Sequence, residues 1–205
     1  MSEHSNASPA AQCFVGAVHL SGEEPVDSVF NEVFQFFYGS GYQVHGMLQT
    51  EYPQHDSCCP TMFLRNLQGE SSIQISQALG KGSTGCRVDP GAIAEATVRL
   101  ENELDDDIDL LILNRFGRCE SEGGGLRPAI EKAVLKNIPV LIAVRPKYRA
   151  QWDDFVGEFS QDLVCEVKEI AGWCKTALDQ RPQCISDSEV FKILESQKNV
   201  KLALH

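Results

Sequence analysis

Ile108-Asp109-Leu110-Leu111-Ile112-Leu113 and Ile138-Pro139-Val140-Leu141-Ile142-Ala143-Val144 are apolar almost throughout, and Pro128 between them opens a helix with Ile130, Ala133 and Val134 turned inward. Strands without polar alternation are those covered on both faces, the situation of parallel strands in an α/β sheet. A strand, a helix and a second such strand make a βαβ unit. That unit decides the fold class: one α/β domain with a mostly parallel sheet and helices on both faces.

Working outward, Cys13 to His19 is a short apolar run ending in Leu20-Ser21-Gly22, the pattern of a buried first strand running into a loop. Pro25 suits a first helical turn, and Val26, Val29, Phe30, Val33, Phe34 and Phe37 form one stripe that closes at Gly39 and Gly41. Tyr42 to Gln49 reads as a second strand. Met62 to Leu67 and Ser72 to Ser76, around the turn Gln68-Gly69-Glu70, predict an inserted antiparallel meander beside the parallel sheet. Asp89 caps a helix with Pro90 at its first position and Ile93, Ala96, Leu100 and Leu104 on its apolar side. The acidic run Glu101 to Asp109 closes that helix as a solvated face.

Tyr148, Trp152, Phe155, Val156 and Phe159 predict another helix, followed by a short strand near Leu163 to Val167. Ser186 and Glu189 have capping-box spacing ahead of Val190, Phe191, Ile193 and Leu194. This late helix is expected to pack back on the domain or on a partner, a homo-oligomer being one such assembly. The resulting division is a disordered polar tail over residues 1–12, the α/β domain over 13–173, and an extension over 174–205.

The chain has 205 residues, 42% of them apolar, enough for one domain with a sizeable core. No run approaches the roughly 18 apolar residues of a membrane span, and the first residues lack the features of a secretory signal, so a cytoplasmic location is expected. Eight cysteines are scattered without a C-x-x-C pair. Reduced thiols are therefore expected, with Cys13 and Cys165 as core fillers. The vicinal pair Cys58-Cys59 with only His55 nearby is a weak metal signal, and no metal is assigned. The net charge of -11 opposes binding to nucleic acid and to anionic membrane unless positive charge is locally concentrated.

Such a concentration exists. Ligands of open α/β sheets bind beyond the carboxyl ends of the strands. The segments that follow the Ile108 and Ile138 strands carry Arg115, Arg118, Arg127, Arg145, Lys147 and Arg149, six of the chain's 18 basic residues. Arginine presents a planar fork of donors suited to oxyanions. Gly123, Gly124 and Gly125 add backbone that can approach an anion just before a helix N-terminus. A further loop, Leu79-Gly80-Lys81-Gly82-Ser83-Thr84-Gly85-Cys86-Arg87, offers Lys81, Ser83, Thr84 and Arg87 to the same kind of ligand. Its order differs from G-x-x-x-x-G-K-[ST], in which Lys and then the hydroxyl residue open the helix directly, since five more residues follow Gly80-Lys81-Gly82-Ser83 before the cap at Asp89. The anion-binding candidates are thus Lys81, Ser83, Thr84, Arg87, Arg115, Arg118, Gly124, Arg127, Arg145 and Lys147.

Acid/base candidates are Glu120 and Glu122, which lie among the arginines and are expected chiefly to form salt bridges with Arg118 or Arg127. His19 ends the first strand at the same rim. No Ser/His/Asp order, metal-binding histidine pair or G-x-G-x-x-G is present.

With the run from Gln77 to Ala92, and with Asn114-Arg115-Phe116-Gly117-Arg118 continuing through Gly123-Gly124-Gly125 to Val144-Arg145-Pro146-Lys147-Tyr148, the chain from about Cys13 to Trp173 resembles a bacterial family of uncharacterised P-loop-NTPase-like proteins. Members are often encoded near molybdenum-uptake or cofactor genes, which implies a molybdenum-related role by association. More distantly the layout is similar to the small nucleoside-triphosphatases of thermophiles. The departures from that pattern are specific. His19-Leu20-Ser21-Gly22-Glu23-Glu24-Pro25 has acidic residues and proline where the phosphate-binding lysine and hydroxyl would stand, and Asn114-Arg115 replaces the expected acidic pair. Phosphoryl transfer by the usual lysine and Mg²⁺ arrangement lacks its parts. The expectation is a binder of a small anionic ligand, a nucleotide or molybdate. The other two readings are an arginine-based nucleoside-triphosphatase or phosphotransferase using Glu120 or Glu122, and a non-catalytic docking protein.

Overall fold

The computed structural model describes residues 14–22, 24–53, 60–69, 71–77, 88–104 and 107–181, with backbone alone at Glu158. The tail over 1–12, the Lys81 to Arg87 loop, Cys58-Cys59 and the late helix around Val190 lie outside the described residues.

Seven strands and six helices alternate along the described chain: β1 (Val15–His19), α1 (Val26–Gly39), β2 (Val44–Tyr52), β3 (Thr61–Asn66), β4 (Ser72–Gln74), α2 (Pro90–Glu103), β5 (Leu110–Phe116), α3 (Arg118–Ser121), α4 (Arg127–Leu135), β6 (Val140–Val144), α5 (Arg149–Val156), β7 (Ser160–Leu163) and α6 (Val167–Asp179). They form one sheet in the order β4-β3-β2-β5-β6-β1-β7. β2, β5, β6, β1 and β7 run parallel, and β3 and β4 add the antiparallel edge read from the sequence.

Two apolar layers sandwich the sheet. On one face Ile93, Ala96 and Leu100 of α2, Ile130 and Ala133 of α4 and Trp152 of α5 pack on Leu111, Leu113, Phe116 and Ile142. On the other, Phe30, Val33 and Phe37 of α1 and Ile170, Trp173 and Cys174 of α6 pack on Leu110, Ile112 and Leu141. β5 and β6 contribute to both layers, which explains their unbroken apolar sequence. Asp89 caps α2 as expected, its Oδ1 accepting the Gly91 amide at 2.8 Å. Cys165 is half-buried and Cys174 buried; desolvation raises both thiols, Cys174 to about 12.

Several boundaries differ from the sequence reading. The last strand lies earlier, at Ser160–Leu163, where it pairs with β1 alone; an edge strand tolerates its polar Gln161 and Asp162. Phe159 leaves the helical stripe because α5 ends at Gly157, whose φ is +54°, and its ring is exposed. α3 falls within what read as a loop. α6 runs across the 173/174 boundary, and Arg181, just beyond it, donates to the Ile108 carbonyl at 2.6 Å. No helix among the described residues is long and apolar enough to cross a membrane.

Candidate functional site

The carboxyl ends of β1, β5 and β6 lie side by side. The helix after β1 covers one face of the sheet and the helices after β5 and β6 cover the other. Ligands of open sheets enter where successive connections diverge in this way.

The turn after β1 is closed by the chain itself. The Glu24 carboxylate accepts the Ser21 amide at 2.8 Å and the Gly22 amide at 2.9 Å, and also the Ser21 hydroxyl. These donors hold its pKa down at about 2, because hydrogen bonds to the ionised form favour it. Amides that would cradle an external anion at this turn instead bind an internal one. Beyond it, His19 Nε2 meets Asp162 Oδ1 at 2.8 Å, and Arg149 is paired with both Asp153 and Asp162.

At the end of β5 the register against β6 slips: Leu113 pairs with Ile142 and Arg115 with Ala143, leaving Asn114 as the extra residue of a bulge. The bulge turns Arg115 toward α1, where its Nη2 lies 2.6 Å from Asp27 Oδ2, while Phe116 remains on the opposite face against Trp152. Burial raises the Asp27 pKa and the Arg115 charge opposes that rise. Asn114 itself is 6% exposed, and its Nδ2 donates to Gln49 Oε1 at 3.1 Å.

A cavity of about 260 Å³ opens there, with Gln49, Asn114, Arg115, Arg118 and Arg145 among its lining and Met62, Leu64, Ile75, Ile93 and Leu126 as apolar wall. Val88 also lines it and forms an antiparallel bridge with Ser76. Ile75 and Val88, which flank residues 78–87 in the sequence, thus both line the cavity.

The arginines predicted as a cluster separate into two groups. Arg115, Arg118 and Arg145 converge on the cavity. Arg118 also pairs with Glu122 at 2.8 Å, the salt bridge expected of that glutamate. Arg145 is exposed, has no ion pair among the described residues, and acts electrostatically on Asp27. Arg127 is diverted, its guanidinium lying 4.1 Å from the Phe155 ring centre, and Lys147 lies against the Tyr148 ring.

The glycine loop is also engaged internally. The Gly124 amide donates to the Cys119 carbonyl at 3.0 Å. Glu120, 4% exposed, accepts the Gly117 amide at 2.8 Å and the Leu126 amide at 3.0 Å, and burial raises its pKa against those bonds. Gly125 has φ of +62°, and a Cβ there would collide with Glu120 Oε1, so glycine is required for the carboxylate to reach its donors. Among the described residues no group of three or more His, Cys, Asp or Glu side chains is arranged to hold a metal.

Sheet order, the helix after the first strand and the crevice at the ends of β1, β5 and β6 define a P-loop-NTPase-like α/β domain. The chain belongs to the family described as Protein of unknown function (DUF2478), whose model matches residues 15–173. It is 30% identical over 159 residues to a protein of Bradyrhizobium diazoefficiens named Molybdenum import ATP-binding protein ModC 2, a match covering 78% of this chain and 18% of that protein. The match thus spans under a fifth of the curated relative. Among solved structures, a human cancer-related nucleoside triphosphatase shares the fold, with a TM-score of 0.52 at 11% identity over 85% of this chain and 97% of that one.

Proposed function

We propose that this protein binds a small anionic ligand in the cavity at the ends of β5 and β6. The observation that carries this reading is the convergence of Arg115, Arg118 and Arg145 on one cavity in a chain of net charge -11. Arginine donors beside a partly apolar wall hold an oxyanion more strongly than they would in open water. The Bradyrhizobium relative's name supports a nucleotide or a molybdenum oxyanion as the kind of ligand; its transport activity is not carried over, given the 18% coverage.

Binding is favoured over hydrolysis. Glu24 occupies the donors of the β1 turn, Glu120 is buried against two amides, and Glu122 is paired with Arg118. All three carboxylates are thus already engaged by donors of the chain itself.

Isothermal titration with phosphate, molybdate and nucleoside monophosphates tests the reading. Binding of at least one of them is expected, weakened about tenfold, or about 1.4 kcal/mol, by Arg145→Ala. Absence of heat with all of them would refute it.

A further inference from the structure

Within that reading of the cavity, we infer that the ligand is an organic anion whose flat body carries an N–H donor, and not a bare tetrahedral oxyanion. The buried amides at the cavity determine this. Glu51 accepts from Gln49 Nε2 at 2.6 Å. A carboxylate only accepts, so Gln49 must turn its Oε1 to the other side, toward Asn114. Asn114 must then answer with Nδ2, at 3.1 Å, which fixes the orientation of its own amide.

The chain of bonds ends at Asn114 Oδ1, which is buried and has no hydrogen-bond partner. A buried acceptor without a donor is destabilising, and a ligand N–H removes the deficit. Asn114 is 6% exposed and lines the cavity, and we take the missing donor to come from that side, with a small side-chain adjustment that uncovers Oδ1 as the ligand enters.

The apolar wall supports the same class. Met62, Leu64, Ile75 and Leu126 offer dispersion contacts and no hydrogen bonds. Molybdate is all acceptor at its surface and satisfies the arginines alone, while hydrogen phosphate can also donate an O–H to Asn114 Oδ1 but leaves the apolar wall uncovered. A planar heterocycle satisfies all three when its ring lies on the wall, its N–H meets Asn114 and its anionic substituent faces the arginines. The volume of about 260 Å³ is just below the usual lower end, about 300 Å³, of small-molecule sites, which limits the body to one or two rings.

The test is a titration of the full chain with uridine and guanosine 5′-monophosphates, their N3- and N1-methyl derivatives, orotate, inorganic phosphate and molybdate. At least one unmethylated heterocycle is expected to bind ten or more times more tightly than phosphate and molybdate. Methylation of its ring nitrogen should remove most of that margin in the wild type, and Asn114→Leu should bind the parent and methylated forms equally. The methylated ligands keep the test decisive if Asn114→Leu does not fold. Phosphate or molybdate binding as tightly as every heterocycle would overturn this inference while leaving the anion site standing, as would indifference to methylation. No binding by any probe would remove both.

Discussion

Glu24 Oε2 lies 2.9 Å from the Gly22 amide nitrogen, so the turn that follows β1 carries its own anion. The carboxylate is bonded to both Ser21 and Gly22 and held ionised to a pKa of about 2, against an ordinary 4.5. A depressed pKa contributes stability that is present above the ordinary value and lost as pH falls through the folded value. Wild-type protein should therefore lose thermal stability between about pH 4.5 and pH 2 more steeply than Glu24→Gln. Melting curves of the two proteins across that range check it; parallel curves would show that the hydrogen bonds do not persist in solution.

Glu120 should show the opposite sign. Burial raises its pKa above the ordinary 4.5, so its protonated form is favoured by folding. Its contribution is fully present below 4.5 and is lost as pH rises through the folded value. Glu120→Gln should flatten that dependence on the acid side of neutrality, as read by denaturant midpoints taken from about pH 7 down to pH 4.5.

Gly125→Ala tests the same carboxylate from the backbone side. The substituted residue would sit at a φ of +62° with its Cβ against Glu120 Oε1. A loss of more than about 1 kcal/mol is expected by urea unfolding. A neutral substitution would mean that the loop between α3 and α4 rearranges freely.

Arg115 and Asp27 join the end of β5 to the first turn of α1 across 2.6 Å, with side chains 15% and 36% exposed. Removing one partner of a half-buried pair leaves the other charge poorly solvated, with a penalty that solvent screening reduces. Arg115→Ala should lower stability by about 1–2 kcal/mol, and adding Asp27→Asn should recover part of it. A double-mutant cycle by chemical denaturation measures the coupling, and strict additivity of the two changes would show that the pair contributes nothing.

Much of the fold was legible because β5 and β6 feed both apolar layers and α1 and α2 keep strict helical stripes. β7 was misplaced because an edge strand need not be apolar, and α6 was missed although Val167, Ile170, Cys174 and Ala177 have helical spacing. The basic rim was legible as a cluster of arginines. Its division was not, since Arg127 is drawn off by Phe155, which lies 28 positions further along the chain. Gln49 and Asn114 were missed as site residues; the one available signal was a lone amide at the end of an otherwise apolar strand. Nor does spacing reveal that Glu24 and Glu120 occupy the backbone donors, because each depends on how a short loop closes on itself.

Amide chemical-shift mapping with a bound nucleoside monophosphate tests most directly where the ligand sits. Shifts concentrated at Asn114, Arg118, Cys119 and Arg145, with Ser21 and Gly22 unmoved, are the expected result. Shifts led by Ser21 and Gly22, with the cavity residues silent, would place the anion in the β1 turn and contradict the assignment of the site to β5 and β6.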